Sequence, residues 1–131
     1  MPPVRWPLRS RRPTIAVTLP HAKGRRARWL IADTGAGTDQ AAFELLLRET
    51  DCRGSGELDA MGQVHLGGAF SGWFNVYTIE VRISRLGFVE AVPVVGVPQV
   101  PDGFDGIACF KFLNRFHYGN FGDAGRFGLG S

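Results

Sequence analysis

Leu30-Ile31-Ala32-Asp33-Thr34-Gly35-Ala36-Gly37 is the stretch from which the rest of the chain can be read. Three apolar residues run straight into a carboxylate, and a glycine-containing loop follows. A short apolar run bounded by turn residues reads as a strand. Asp33 therefore stands where a strand stops and a loop starts. An aspartate at such a junction also closes an Asx-type turn on its own backbone. Taken alone, the tripeptide Asp-Thr-Gly leaves a structural and a chemical reading open.

Working outward, Thr14-Ile15-Ala16-Val17-Thr18-Leu19 is β-branched and alternating, as a half-buried strand is. Pro20 to Gly24 supply turn chemistry, and Arg28 to Ala32 return as the partner strand. Residues 1–13 carry Pro2, Pro3, Pro7 and Pro13 among four arginines. They read as a flexible basic arm unable to join a central strand, which leaves 14–131 as the domain. Beyond the Asp33 loop, Thr38 or Asp39 is placed to cap a short helix through about Arg48, with Phe43, Leu46 and Leu47 at i, i+3, i+4. Gly54, Gly56, Gly62, Gly67, Gly68 and Gly72 then punctuate short extended pieces. Phe74 to Ile83 alternates as a long strand. Ala91 to Val95 is another strand, expected near a sheet edge because of Pro93. Ile107 to Phe116 is the second helix candidate, and Tyr118 to Leu129 reads as short strands joined by turns. The fold expected is mainly β: a closed or rolled barrel with one or two short helices.

Composition narrows the function classes. At 131 residues the chain fits one domain. No apolar run approaches the roughly 18 residues that a membrane span needs. Met1 to Pro7 lacks the apolar core of a secretory signal. Cys52 and Cys109 form no CxxC, and a reducing cytoplasm is the expected setting. His21, His65 and His117 lack ligand spacing, so neither a metal nor another cofactor is expected. Residues 1–32 hold eight basic residues and no acid; residues 33–131 hold seven basic and all twelve acidic residues. Asp33 is the first acid in the chain.

The second half adds weight to the chemical reading. Val100-Pro101-Asp102-Gly103-Phe104-Asp105-Gly106-Ile107 lies about 70 residues after Asp33, followed by Phe112-Leu113-Asn114-Arg115-Phe116. With Asp-Thr-Gly-Ala at 33–36 and the glycine-rich stretch Gly62 to Gly72 between the two, this order resembles the retropepsin-like (retroviral-type, single-domain) aspartic peptidases of the bacterial kind. The resemblance covers roughly residues 14–129. It implies a retropepsin-type barrel acting as a symmetric homodimer. Phe104, Asp105, Gly106 and Ile107 would support the active-site loop from beneath. Gly62, Gly67, Gly68 and Phe70 would belong to a flap over the substrate, and Trp73 is a further pocket candidate. Two positions depart from the family pattern: Gly37 stands where a Ser or Thr is usual, and Asp105 takes a hydrophobic place.

Peptide hydrolysis of this kind needs two carboxylates sharing a proton. The chain has one Asp-Thr-Gly, and Asp123-Ala124-Gly125 lacks an apolar strand before it. A second copy must then supply the twin of Asp33, most simply across a two-fold axis. By resemblance, Asp33 is the catalytic residue, Thr34 bonds across the axis, and Gly35, Ala36 and Gly37 shape the loop. Gly35 would also accept a substrate amide on its carbonyl. The expected partners are a second copy of the chain and a peptide or protein substrate, with neither membrane nor nucleic acid. The alternative is a non-catalytic peptide-binding or dimerisation module on the same fold. A nucleic-acid platform ranks third, since apart from Trp6 and Trp29 no aromatics interleave with the arginines.

Overall fold

A computed structural model describes residues 2–56 and 59–131; Met1 of the expected arm, and Glu57 and Leu58 within the expected domain, lie outside the described residues. In chain order the elements are β1 (Val4–Pro7), β2 (Thr14–His21), β3 (Gly24–Ala32), β4 (Leu45–Arg48), α1 (Glu49–Gly54), β5 (Gly62–Leu66), β6 (Gly72–Ile83), β7 (Phe88–Val97), β8 (Gly106–Ala108), α2 (Phe110–Leu113), β9 (His117–Gly119) and β10 (Arg126–Gly130). Hydrogen-bonded neighbours run β2-β3-β8-β4-β7-β6, and Thr18 of β2 pairs with Arg82 of β6 to close the ring. The result is the closed, mainly β barrel with two short helices that the sequence predicts. Closure leaves no free edge among these strands. β5 hangs from β6 as the outer arm of a hairpin whose turn contains a 3-10 segment, Gly68–Phe70.

Alternation in β2 and β6 sends Ile15, Val17, Leu19, Ile79, Val81 and Ile83 inward to the main core. A smaller apolar cluster, including Ile31, Leu46, Val95, Phe104 and Ile107, fills the opposite side of the strands near Asp33. Leu30, Leu45 and Leu47 face the main core while their chain neighbours Ile31 and Leu46 face the second cluster. β3 and β4 are therefore buried on both faces where they flank β8.

Four sequence expectations are corrected. The arm is not free. Val4 to Pro7 form β1, antiparallel to β10, with Val4 and Trp6 buried in the main core. Pro7 is tolerated there because β1 is the edge strand of the separate sheet β1-β10-β9. The helix expected up to Arg48 is replaced by irregular chain and then β4, parallel to β7 and antiparallel to β8. Pro93 is not at an edge, since β7 lies between β6 and β4. Its carbonyl accepts the Glu44 amide (2.8 Å), just before β4 begins, so its ring nitrogen faces a place where no ladder bond is required. The second helix is short, because Ile107 and Ala108 belong to β8.

Candidate active site

β3 delivers Asp33 to its position. Leu30, Ile31 and Ala32 pair in parallel with Gly106, Ile107 and Ala108, and the Asp33 amide donates to the Ala108 carbonyl (3.0 Å). The chain then turns sharply. The Gly35 amide donates to Asp33 Oδ1 (2.9 Å) and the Ala36 amide to the Asp33 carbonyl (3.2 Å). The Asx-type turn and the carboxylate-presenting loop are thus one structure. The first residue of α2 fixes the loop's far side, the Phe110 amide donating to the Ala36 carbonyl (2.9 Å). Asp33 Oδ2 meets no hydrogen-bond donor among the described residues.

The loop opens on a cleft of about 400 Å³. Asp33, Ala36 and Gly37 line one side, Leu66, Gly67 and Phe70 of the β5–β6 hairpin the other, and Leu46, Ile107 and Cys109 the floor. Asp33 is the sole carboxylate among the described residues lining it. A larger hollow of about 570 Å³ continues past Phe70 between the hairpin and Pro98 to Pro101. The site is an apolar trough with one carboxylate at its wall, as wide-mouthed binding clefts are. Burial, with the Asp33 and Glu44 carboxylates adding to it, pushes the Cys109 thiol up to about 12. That thiol stays protonated and is no nucleophile at neutral pH. Among the described residues no group of three or more His, Cys, Asp or Glu converges to hold a metal ion.

The predicted residues are distributed as follows. Asp33, Ala36, Gly37, Gly67, Phe70 and Ile107 meet in the cleft, while Thr34 and Gly35 are exposed on the outer side of the loop. Gly68 begins the hairpin's turn, but Gly62 pairs with Val76 at the hairpin base, away from the tip. Trp73 is exposed on the hairpin's outer face and does not line the cleft, but it meets edge-on the ring of His65, which does. Phe104 is buried under the floor, and Gly106 lies between Leu30 and Leu47. Asp105 is fully engaged. It accepts the Trp29 amide (2.8 Å) and an ion pair from Arg48 (3.1 Å), while its own amide donates to the Trp29 carbonyl (2.8 Å). Its place before Gly106 thus carries a polar clasp instead of an apolar side chain. Gly37 has φ of 74°, a backbone region that disfavours any side chain. The hydroxyl of Thr38 accepts the Gln40 amide (3.3 Å) rather than serving Asp33. Arg48, Phe43 and Leu46 escaped the sequence reading because a helix was expected there, and Arg48 carries no motif that would mark it.

No family model and no curated protein matches the chain. Among solved structures, a retropepsin-like aspartic protease from Rickettsia conorii is similar to it, with a TM-score of 0.50 and 14% identity, over 98% of this chain and 95% of that one. The fold is therefore retropepsin-like.

Proposed function

We propose that the protein is an aspartic endopeptidase whose active site is completed by a second copy of the chain. The observation that carries this reading is Asp33 itself. A single carboxylate ends a barrel strand at the wall of an apolar trough, beneath a hairpin, on a retropepsin-like fold. One carboxylate cannot both accept the proton of water and donate to a peptide carbonyl. Two do so when they share one proton, and their titrations then split as a coupled pair. In this reading Asp33 of one copy, ionised, takes the proton from the attacking water. Asp33 of the other, protonated, donates to the carbonyl oxygen. Thr34, exposed beside each carboxylate, would bond across the axis, and the Gly35 carbonyl would hold a substrate amide. Gly67, Gly68 and Phe70 would close over an extended peptide bound along the trough. The free thiols Cys52 and Cys109 suit the reducing cytoplasm as its location.

The test is hydrolysis of internally quenched peptides from pH 3 to 7, with and without a pepstatin-type inhibitor, for wild type and Asp33→Asn. Turnover that rises with the fraction of dimer, is blocked by the inhibitor and falls by at least about 10²-fold in the variant supports the reading. The alternative, a non-catalytic peptide-binding module, is favoured by Gly37 and by the lack of a hydroxyl at Asp33 Oδ2. It predicts peptide binding without turnover at every pH, with Asp33→Asn changing little.

A further inference from the structure

Neither the core nor the Asp33 cleft accounts for Trp73. Its side chain is 67% exposed, and it meets His65 edge-on across the hairpin with ring centroids 5.2 Å apart. The next rung of the same outer face is Gln63 with Asn75, joined at 3.2 Å. Asn75 also reaches Oε1 of Glu49 on α1 (3.2 Å), as does the Tyr77 hydroxyl. Arg53 approaches that same oxygen at 3.5 Å. All three partners use Oε1, so Glu49 Oε2 accepts from no donor among the described residues. It lies against Gly96, where the missing Cβ makes room for it. Glu49, Gln63, Trp73 and Asn75 line a cleft of about 290 Å³.

This cleft neighbours the one at Asp33 by way of a third hollow. It shares Phe74 and Pro98 with the hollow beside Pro98 to Pro101, and that hollow shares Phe70 with the Asp33 cleft. An extended peptide that runs from Asp33 past Phe70 and Pro98 meets a half-buried carboxylate, one oxygen of which accepts no hydrogen bond among the described residues, in a cleft also lined by an exposed indole. We propose that the Glu49–Trp73 cleft is a subsite for an arginine side chain of an extended peptide, remote from Asp33. A guanidinium is planar, stacks on an indole face and forks onto a carboxylate, whereas an ammonium offers only a point charge. Arg53 is 61% exposed and pairs loosely, so it yields the carboxylate to a better-placed cation. The subsite's use in cleavage rests on the peptidase reading, but its ligand does not.

The test has two arms. In the first, nitrogen-labelled protein is titrated with N-acetyl-arginine amide and, separately, N-acetyl-citrulline amide and glucose. The Trp73 indole resonance is followed, with Trp6 and Trp29 as internal references. A saturable shift of Trp73 with the arginine compound alone, lost in Glu49→Gln, is expected. Equal shifts with citrulline or glucose, or no shift, overturn the subsite without recourse to any variant. In the second arm, peptides carry arginine or citrulline at successive positions to one side of the scissile bond. A preference in kcat/KM of about tenfold for arginine at one position, falling to about one in Trp73→Ala, is expected. Arginine-specific shifts without cleavage leave the subsite standing and remove the peptidase reading. Cleavage without discrimination or shift does the reverse.

Discussion

The α-carbon of Gly106 faces the carbonyl oxygen of Leu46 with no room for a side-chain atom between them. A Cβ at Gly106 would also lie 2.9 Å from Leu47 Cδ2 and 3.2 Å from Leu30 Cδ2. The close approach follows from the topology, since β8 is paired to β3 on one side and β4 on the other. Backbone, unlike a side-chain end, cannot step aside. Gly106→Ala is therefore expected to cost about 3 kcal/mol or more, at the upper end for overpacking, read from the urea midpoint. Because β3 ends at Asp33, any surviving fold would also present the carboxylate poorly.

Asp105 supports the same strand pair through its side chain. Asp105→Ala leaves the Trp29 amide without its acceptor and takes the carboxylate from the Arg48 guanidinium, which keeps the Phe104 carbonyl (3.0 Å), at an expected cost of about 2–3 kcal/mol. Asp105→Asn keeps an oxygen for the Trp29 amide and is expected to cost about half as much. A double-mutant cycle with Arg48→Ala isolates the ion pair by urea unfolding, with an expected coupling of about 0.5–1 kcal/mol.

Trp6 decides whether the N-terminal segment is an appendage. It is 8% exposed, packed in the main core and paired in register with Phe127. Trp6→Ala is expected to destabilise the whole domain by about 3–5 kcal/mol in chemical unfolding. A free arm would show almost no change.

Alkaline stability follows from the two buried thiols. Burial pushes both Cys52 and Cys109 from 9.0 up to about 12. Below pH 9 both thiols keep their protons whether the chain is folded or not, and the stabilisation is fully present. Between pH 9 and about 12 the unfolded chain releases protons that the folded chain holds, so stability falls as pH rises. The expected slope is about 1.4 kcal/mol per pH unit for each thiol. Urea midpoints at pH 8 and 10 measure it, and Cys109→Ala should remove about half of that slope.

The sequence disclosed the parts of this molecule that local chemistry governs. Alternation marked β2 and β6, a short apolar run marked the end of β3, and the Asp33 turn was readable because an aspartate before Thr-Gly bonds its own backbone. Glycines bracketed the β5–β6 hairpin. The failures lie where tertiary pairing overrides local pattern. Phe43, Leu46 and Leu47 fit a helical spacing, but three positions cannot distinguish a helix from a strand buried on both faces, as β4 is. Prolines bracketing Val4-Arg5-Trp6 read as an arm because the edge position that tolerates them is set by β10, over a hundred residues away. Within the candidate site, the Asp33 loop and the glycines of the hairpin's turn, Gly67 and Gly68, were legible, whereas Gly62 pairs at the hairpin base. The Arg48–Asp105 clasp and the Glu49–Trp73 cleft were not, since each is assembled from distant elements.

Gly37 carries a consequence for how this loop could change over generations. With φ at 74°, its backbone is bent into a shape that a serine or threonine would occupy only at a cost of about 1 kcal/mol. Placing a hydroxyl on residue 37 is therefore not a matter of one substitution. The residue and the path of the loop have to change together, since a side chain on the present path is strained. The shape of the backbone, and not crowding around it, is what holds residue 37 to a glycine.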